Sequence, residues 1–362
     1  MSILGDLKLR LLVDAKQVAA VEIVSTRPRA ARLLAGKSVA AALPLLPLLF
    51  TVCGVAQRLA GEAAVAAAQG RAHPVTPAER LSLLCETTQE HLWRLLLDWP
   101  QLLGQAPLQS EFSVWFRRLG LAGRSGVWPD WGDAFADFVA GEVLGMRLEA
   151  WEQLKNFAPV RDGESLAVRF WRALPEMPME DSGAWLPRES AARYAQALDG
   201  IWTDDFERTP EWRQASAETG ALARWRDHPA LLAAQRRYGR GPRPRLLARL
   251  MDLAQCARHL AAGTDGAVGT PLDACCVAPG VGVARVETAR GILLHRVRLD
   301  GERLAEYALV APTEWNFHPR GAFASAMLGV PATDVEGLHR QASLLALALD
   351  PCVPFQIEVE HA

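Results

Sequence analysis

Asp350-Pro351-Cys352, close to the end of a 362-residue chain, is the stretch on which the reading of the fold turns. A mostly apolar run from Val335 to Leu349 reads as a helix that delivers the chain to Pro351. Proline cannot continue a helix and forces an extended exit. Beyond it Phe355, Ile357 and Val359 alternate with Gln356, Glu358 and Glu360, the period of a half-buried strand. Cys352 is thereby placed at a helix-to-strand corner, a rigid mount for a thiol. Its candidate partner is Cys53, in Val52-Cys53-Gly54-Val55 near the other end.

Outward from these cysteines, composition narrows the field. Half the residues are hydrophobic and the net charge is −2, so no excess of positive charge points to nucleic acid. The densest basic cluster, Arg236 to Arg249, reads as a solvated linker and helix start. Six cysteines in a chain this long are not a disulfide framework, and reduced thiols in the cytoplasm are the expectation. The residues from Met1 to Val13 have no signal-peptide core. No charge falls between Lys37 and Arg58, which meets the length criterion for a membrane span. Pro44, Pro47 and Gly54 interrupt the segment, however, and a buried core segment is expected rather than a membrane contact.

Residues 5–25 read as a β-hairpin turning at Asp14-Ala15-Lys16. Arg27-Pro28-Arg29 starts a helix expected to reach about Ala42, and alanine-rich Val55–Gln69 predicts a strong helix stopped at Gly70. Cys53 then lies at a helix N-terminus, where free N–H groups and the dipole favour a thiolate. A buried apolar cysteine is the competing reading. Thr76-Pro77-Ala78-Glu79 signals a capped helix to about Leu97; Cys85 and His91 within it point to different faces. From Pro100 to Gly241 most tryptophans accumulate, among them Trp115, Trp128, Trp131, Trp151, Trp171, Trp185, Trp202, Trp212 and Trp225. They read as filler between short helices. Arg245–Ala262 is a further helix, with Cys256 and His259 on one face. Gly36-Lys37-Ser38 lacks the upstream glycine of a phosphate loop. After Cys275-Cys276, which offer at most one further ligand, Asp300-Gly301 joins two β-like runs as a hairpin.

Four segments now resemble a known family. Cys53-Gly54-Val55-Ala56 resembles the first half of the Cys-Gly-x-Cys element of [NiFe]-hydrogenase large subunits. Ala289-Arg290-Gly291-Ile292-Leu293-Leu294-His295 is similar to that family's Ala-Pro-Arg-Gly-x-Leu-x-His segment. Pro312-Thr313-Glu314-Trp315-Asn316 resembles Pro-(Ser/Thr)-Thr-Trp-Asn, and Asp350-Pro351-Cys352 matches the start of Asp-Pro-Cys-x-x-Cys-x-x-His. The departures carry equal weight. Ala56 and Phe355 stand where the family has its second cysteines, Glu358 replaces the closing histidine, and the family's N-terminal acidic position falls near Arg10. With Ala362 as the last residue, a counterpart of the family's cleavable tail is not expected.

This pattern is that of the HupK/HoxV-type hydrogenase accessory proteins, which resemble a shortened, inactive large subunit. The resemblance implies an α+β, predominantly helical fold with small β-hairpins near the N-terminus and in the C-terminal third. It implies a single large-subunit-like body over 1–362: an N-terminal part (1–99) with Cys53, a Trp-rich helical middle (100–270), and a C-terminal part (271–362) with Arg290, Thr313 and Cys352. The function it implies is a non-enzymatic maturation scaffold that holds the Fe(CN)2(CO) group transiently, with Cys53 and Cys352 as metal ligands and Arg290 and Pro312-Thr313 around the cyanides. No nickel is expected, because half of the thiolates are lost. The implied partners are a hydrogenase large-subunit precursor and HypC/HypD-type maturation chaperones. The alternative is a metal-free mimic of the large subunit that binds its partners as an assembly factor.

Overall fold

The computed structural model describes residues 5–179, 183–263 and 271–361; the first four residues and the boundary expected at 270 lie outside them. Strands β1 (Leu7–Asp14) and β2 (Gln17–Ser25) form the expected hairpin. Its turn residues Ala15 and Lys16 have positive φ, 46° and 68°, the backbone that suits the twist of a tight hairpin. Leu7, Leu9, Leu11 and Val13 of β1 are buried, as the alternation requires.

The single helix expected from Arg27 to Ala42 is corrected to a 3-10 turn, Ala30–Leu34, followed by the short helices Val39–Ala42 and Leu46–Leu49. Gly36 at φ 78° stops the first piece, and Pro44 and Pro47 remove donors that a continuous helix needs. Helix α1 (Gly54–Ala68) follows. Among the described residues no single helix is long and apolar enough to cross a membrane; the Val39–Leu49 and Thr51–Ala68 segments meet at a 94° bend. Helix α2 (Pro77–Trp93) starts with the predicted capping box between Thr76 and Glu79. It runs on as a π-turn over Arg94–Asp98, just before Pro100, which has no N–H to close an ordinary α-turn.

The tryptophan-rich middle is core, as its composition implied. Trp99, Trp115, Trp151 and Trp171 are buried in one apolar cluster with Phe135, Phe170 and Leu250. In the basic stretch Arg236 and Arg237 are exposed and a helix starts as expected, but the solvated reading fails beyond them. Helix α3 (Pro242–Ala262) begins there, and Arg243, Arg245 and Arg249 are buried on it. Each is matched: Arg243 donates to the Leu174 carbonyl, Arg245 pairs with buried Glu218 at 2.7 Å, and Arg249 pairs with Asp350 at 2.9 Å. Buried guanidinium groups persist only when paired in this way, and partners so distant in sequence cannot be read from composition.

Strands β3 (Leu272–Ala278), β4 (Val281–Thr288), β5 (Gly291–Asp300) and β6 (Arg303–Val310) make an antiparallel sheet in sequence order. Helix α1 lies directly on it. A Cβ on Gly282 would stand 2.0 Å from the Ala64 carbonyl oxygen, and one on Gly61 2.6 Å from the Tyr307 hydroxyl. The alanine run of α1 is what allows this approach. Helix α4 (Val335–Leu349) ends as expected, with Asp350 left-handed at φ 58°. The chain then turns at Pro351-Cys352 into β7 (Phe355–His361), which pairs parallel with β1. The N-terminal hairpin is thus a three-stranded sheet completed by the other end of the chain.

Candidate metal centre

Each thiol is placed by local backbone chemistry. Cys53 is the residue before α1, set there by the 94° bend between the Val39–Leu49 and Thr51–Ala68 segments. Cys352 is set by the end of α4 and held by the segment after β6. There the Thr313 hydroxyl donates to Cys352 Sγ at 3.1 Å and accepts the Cys352 backbone N–H at 3.1 Å. Asn316 donates to the Leu349 carbonyl at 3.3 Å and accepts the Thr219 N–H at 2.9 Å, tying the last turn of α4 to the same segment.

Cys53 and Cys352, both partly buried, line one open cavity of about 420 Å³ together with Arg27, Phe50, Leu49 and Val353. Arg290 reaches Cys53 from the opposite side, where a second space of about 10 Å³ is walled by Cys53, Ala56, Glu86, Glu90 and Arg290. Ala56 is buried at the wall of that space, so the position that carries a second cysteine in the hydrogenase pattern is filled by a methyl group and a carboxylate neighbour.

Arg290 sits in the turn between β4 and β5. Thr288 shapes this turn by donating to the Gly291 carbonyl and accepting the Arg290 N–H. Gly291 has φ 126°, and a Cβ there would meet the Thr219 hydroxyl at 2.4 Å, so only glycine lets the turn close on its neighbour. The guanidinium donates to Glu90 at 2.6 Å and lies 3.3 Å from Asp350. Asp350 in turn receives Arg94 at 2.6 Å and Arg249 at 2.9 Å. Burial opposes ionisation of Asp350, yet Arg249, Arg290 and Arg94 hold its carboxyl well below the usual range. Burial also works against the Arg290 charge, but Asp350, Glu90 and the two sulfurs keep it protonated. A knot of charges therefore fixes Arg290 behind the thiols.

Of the two readings of Cys53, the buried cysteine favoured on spacing is the one that fits, and the thiolate at a free helix N-terminus is corrected. Burial, Glu86 and Cys352 push its thiol up to about 12, against a smaller opposing pull from Gln57 and Arg290. The helix terminus does not help, because its donors are already used: Val55 and Ala56 give their N–H groups to the Glu86 carboxylate at 2.6 and 3.0 Å. Burial in turn raises Glu86 to about 7, with those N–H groups opposing. Behind Cys53 runs a neutral chain. Gln57 donates to Cys53 Sγ at 3.5 Å and accepts from His295 Nε2 at 2.9 Å, while His295 Nδ1 meets the Tyr307 hydroxyl at 2.7 Å. The Gln57 carbonyl oxygen requires the proton on Nε2. Burial lowers His295 to about 3, so the ring is neutral.

Of the residues singled out from sequence, Cys53, Cys352, Arg290 and Thr313 are brought together. Pro312 is buried at the first turn of the short helix Pro312–Asn316 and is not on the cavity wall. Cys275 and Cys276 lie on β3 and do not line the cavity, and Cys256 is buried on α3 beside half-buried His259. Sequence reasoning missed Arg27, Glu86, Glu90 and Arg94. Glu86, Glu90 and Arg94 share one face of α2 and its extension at helical spacing, the single signal that marked them.

The fold and site define a class before they define a family. Residues 252–353 match the family model described as nickel-dependent hydrogenase. The reduced, active Ni-Fe-Se hydrogenase from Desulfomicrobium baculatum superposes with a TM-score of 0.58 at 13% identity, covering 94% of this chain and 95% of that one. An NAD+-reducing [NiFe]-hydrogenase in the H2-reduced state gives 0.55 at 18% identity, with 94% of each chain covered. The fold is that of a hydrogenase large subunit. Among curated proteins, the hydrogenase expression/formation protein HoxV of Cupriavidus necator is 32% identical, covering 93% of this chain and 92% of its own. HupK of Bradyrhizobium diazoefficiens is 32% identical, covering 93% and 91%. The chain belongs to the HupK/HoxV family of hydrogenase expression/formation proteins.

Proposed function

We propose that this protein takes part in hydrogenase assembly as a non-enzymatic carrier in the cytoplasm, holding an Fe(CN)2(CO) group between Cys53 and Cys352 and passing it to a large-subunit precursor. HypC/HypD-type chaperones are the proposed source of the group. The observation that carries this reading is the meeting of two thiols from opposite ends of the chain in one open cavity, with guanidinium groups on both sides. Two soft ligands suit one iron; Ala56 and Phe355 leave no further thiols for nickel. Arg290 places positive charge against the sulfurs, ready to balance the thiolates that bind the cargo. Since Cys53 is a thiol when empty, loading releases protons and is favoured by rising pH. Weak retention by two ligands suits a cargo that must leave.

One observation favours the second reading, a metal-free mimic of the large subunit. The Thr313 hydroxyl donates to Cys352, and Arg290 donates to Glu90 and lies against Asp350, so both groups already have partners within the chain. Infrared spectra of protein purified anaerobically from cells that make the maturation proteins separate the two. A carrier shows CO and CN stretching bands that vanish in Cys53→Ala and in Cys352→Ala. Absent bands with complex formation intact establish the mimic.

A further inference from the structure

Glu314 is the one position of Pro312-Thr313-Glu314-Trp315-Asn316 that departs from the hydrogenase pattern, and its carboxylate faces the thiol cavity's own guanidinium. Arg27 Nη1 donates to both Glu314 oxygens at 3.1 Å. The two side chains are only 12% and 15% exposed, and the guanidinium lies 5.9 Å from the centroid of the Phe50 ring. Arg27 lines two neighbouring cavities at once: the one with Cys53 and Cys352, and one of about 270 Å³ that includes Thr313, Glu314 and Phe317. Only Nη1 is committed; among the described residues Nε and Nη2 make no hydrogen bond. Burial works against its charge, but Cys352, Glu314 and Cys53 reinforce it.

We propose that Arg27, held in place by Glu314, is the residue that binds the outward-facing anionic diatomic ligand of the cargo. The inference rests on the carrier reading above and assigns a role that the family motifs do not. Thr313 cannot fill it while its hydroxyl is on Cys352, and Arg290 faces the thiols from the buried side. A guanidinium presents a fork of donors; with one nitrogen on Glu314, two remain for a cyanide nitrogen at the cavity mouth. Positive charges on both sides of the sulfurs then match the two negative charges of an iron dicyanide carbonyl held by two thiolates.

Two readouts test this. In the empty protein, Cys53 and Cys352 are alkylated with anionic iodoacetate and with neutral iodoacetamide, each site being followed by mass spectrometry. A cation facing the sulfurs favours the anion, so Arg27→Met lowers the iodoacetate-to-iodoacetamide rate ratio roughly tenfold. Arg27→Lys retains most of the ratio, and Glu314→Thr gives an intermediate value. In protein loaded in cells, Arg27→Met shifts one of the CN stretching bands and leaves the CO band in place. An unchanged ratio, or unshifted CN bands in loaded Arg27→Met, overturns the role of Arg27 while leaving the carrier reading intact. Absence of bands in wild type as well as variants overturns the carrier reading, and the ligand assigned to Arg27 with it.

Discussion

The corners that present Cys53 and Cys352 are built in opposite ways. At Cys352 a hydroxyl both orients the backbone and donates to the sulfur. At Cys53 a half-buried carboxylate takes the helix N–H groups that would otherwise face the sulfur, and the thiol is pushed up to about 12. The two thiols are therefore not equivalent. In the proposed carrier Cys352 is the anchor that Thr313 already orients, and Cys53 is the ligand whose proton leaves only when a metal compensates the cost. A carrier whose second ligand reverts to a neutral thiol has a route to release that a matched pair lacks.

The largest effect expected comes from the group both corners share. Arg290→Met leaves Glu90 and Asp350 with an uncompensated share of buried charge and should lower unfolding stability by about 3–5 kcal/mol, measured by urea denaturation. A change below 1 kcal/mol would mean that the charge knot does not hold the corners. Alkaline pH strains the Cys53 corner together with the buried thiols of Cys85 and Cys256, which burial also pushes up to about 12. Burial keeps Cys53 neutral in the folded protein, so its contribution is complete below the ordinary thiol value of 9.0 and is lost as pH rises towards about 12. Urea midpoints should fall across that window, and by less in Cys53→Ala.

Glu86→Gln acts on the Cys53 corner alone. Removing that negative charge should raise the iodoacetamide rate at Cys53 about tenfold at pH 8, the effect of one unit of pKa, with no change at Cys352. Equal acceleration at both sites would erase the distinction. The smallest effect is the mirror experiment. Thr313→Val should cost about 1 kcal/mol, the worth of a typical hydrogen bond, and should alter alkylation at Cys352 only.

Much of the frame was legible because it rests on local rules. The Ala15-Lys16 hairpin, the Thr76–Glu79 capping box, the Asp300-Gly301 turn and the stop at Pro351 each follow from a few neighbouring residues. The pairing of β7 with β1 did not, although its alternation was plain, because a parallel partner at the far end of the chain leaves no local mark. The site divides in the same manner. Cysteines and the Arg290 turn stood out as motifs, whereas Glu86 and Arg27 are ordinary surface types until the fold buries them. The thiolate reading of Cys53, the less favoured of the two on spacing, failed for an identifiable reason. A helix N-terminus favours an anion only while its N–H groups are free, and Glu86, thirty-three residues on, is the anion that takes them. The solvated reading of Arg243–Arg249 failed similarly, through Glu218 and Asp350.

The central claim is that two thiols from opposite ends of the chain hold one iron. Iron-edge X-ray absorption on anaerobically purified protein tests it directly. The account predicts two sulfur neighbours per iron in the wild type, one in Cys53→Ser, and no stoichiometric nickel. Iron without sulfur neighbours, or a sulfur count unchanged by the Cys53 substitution, would contradict it.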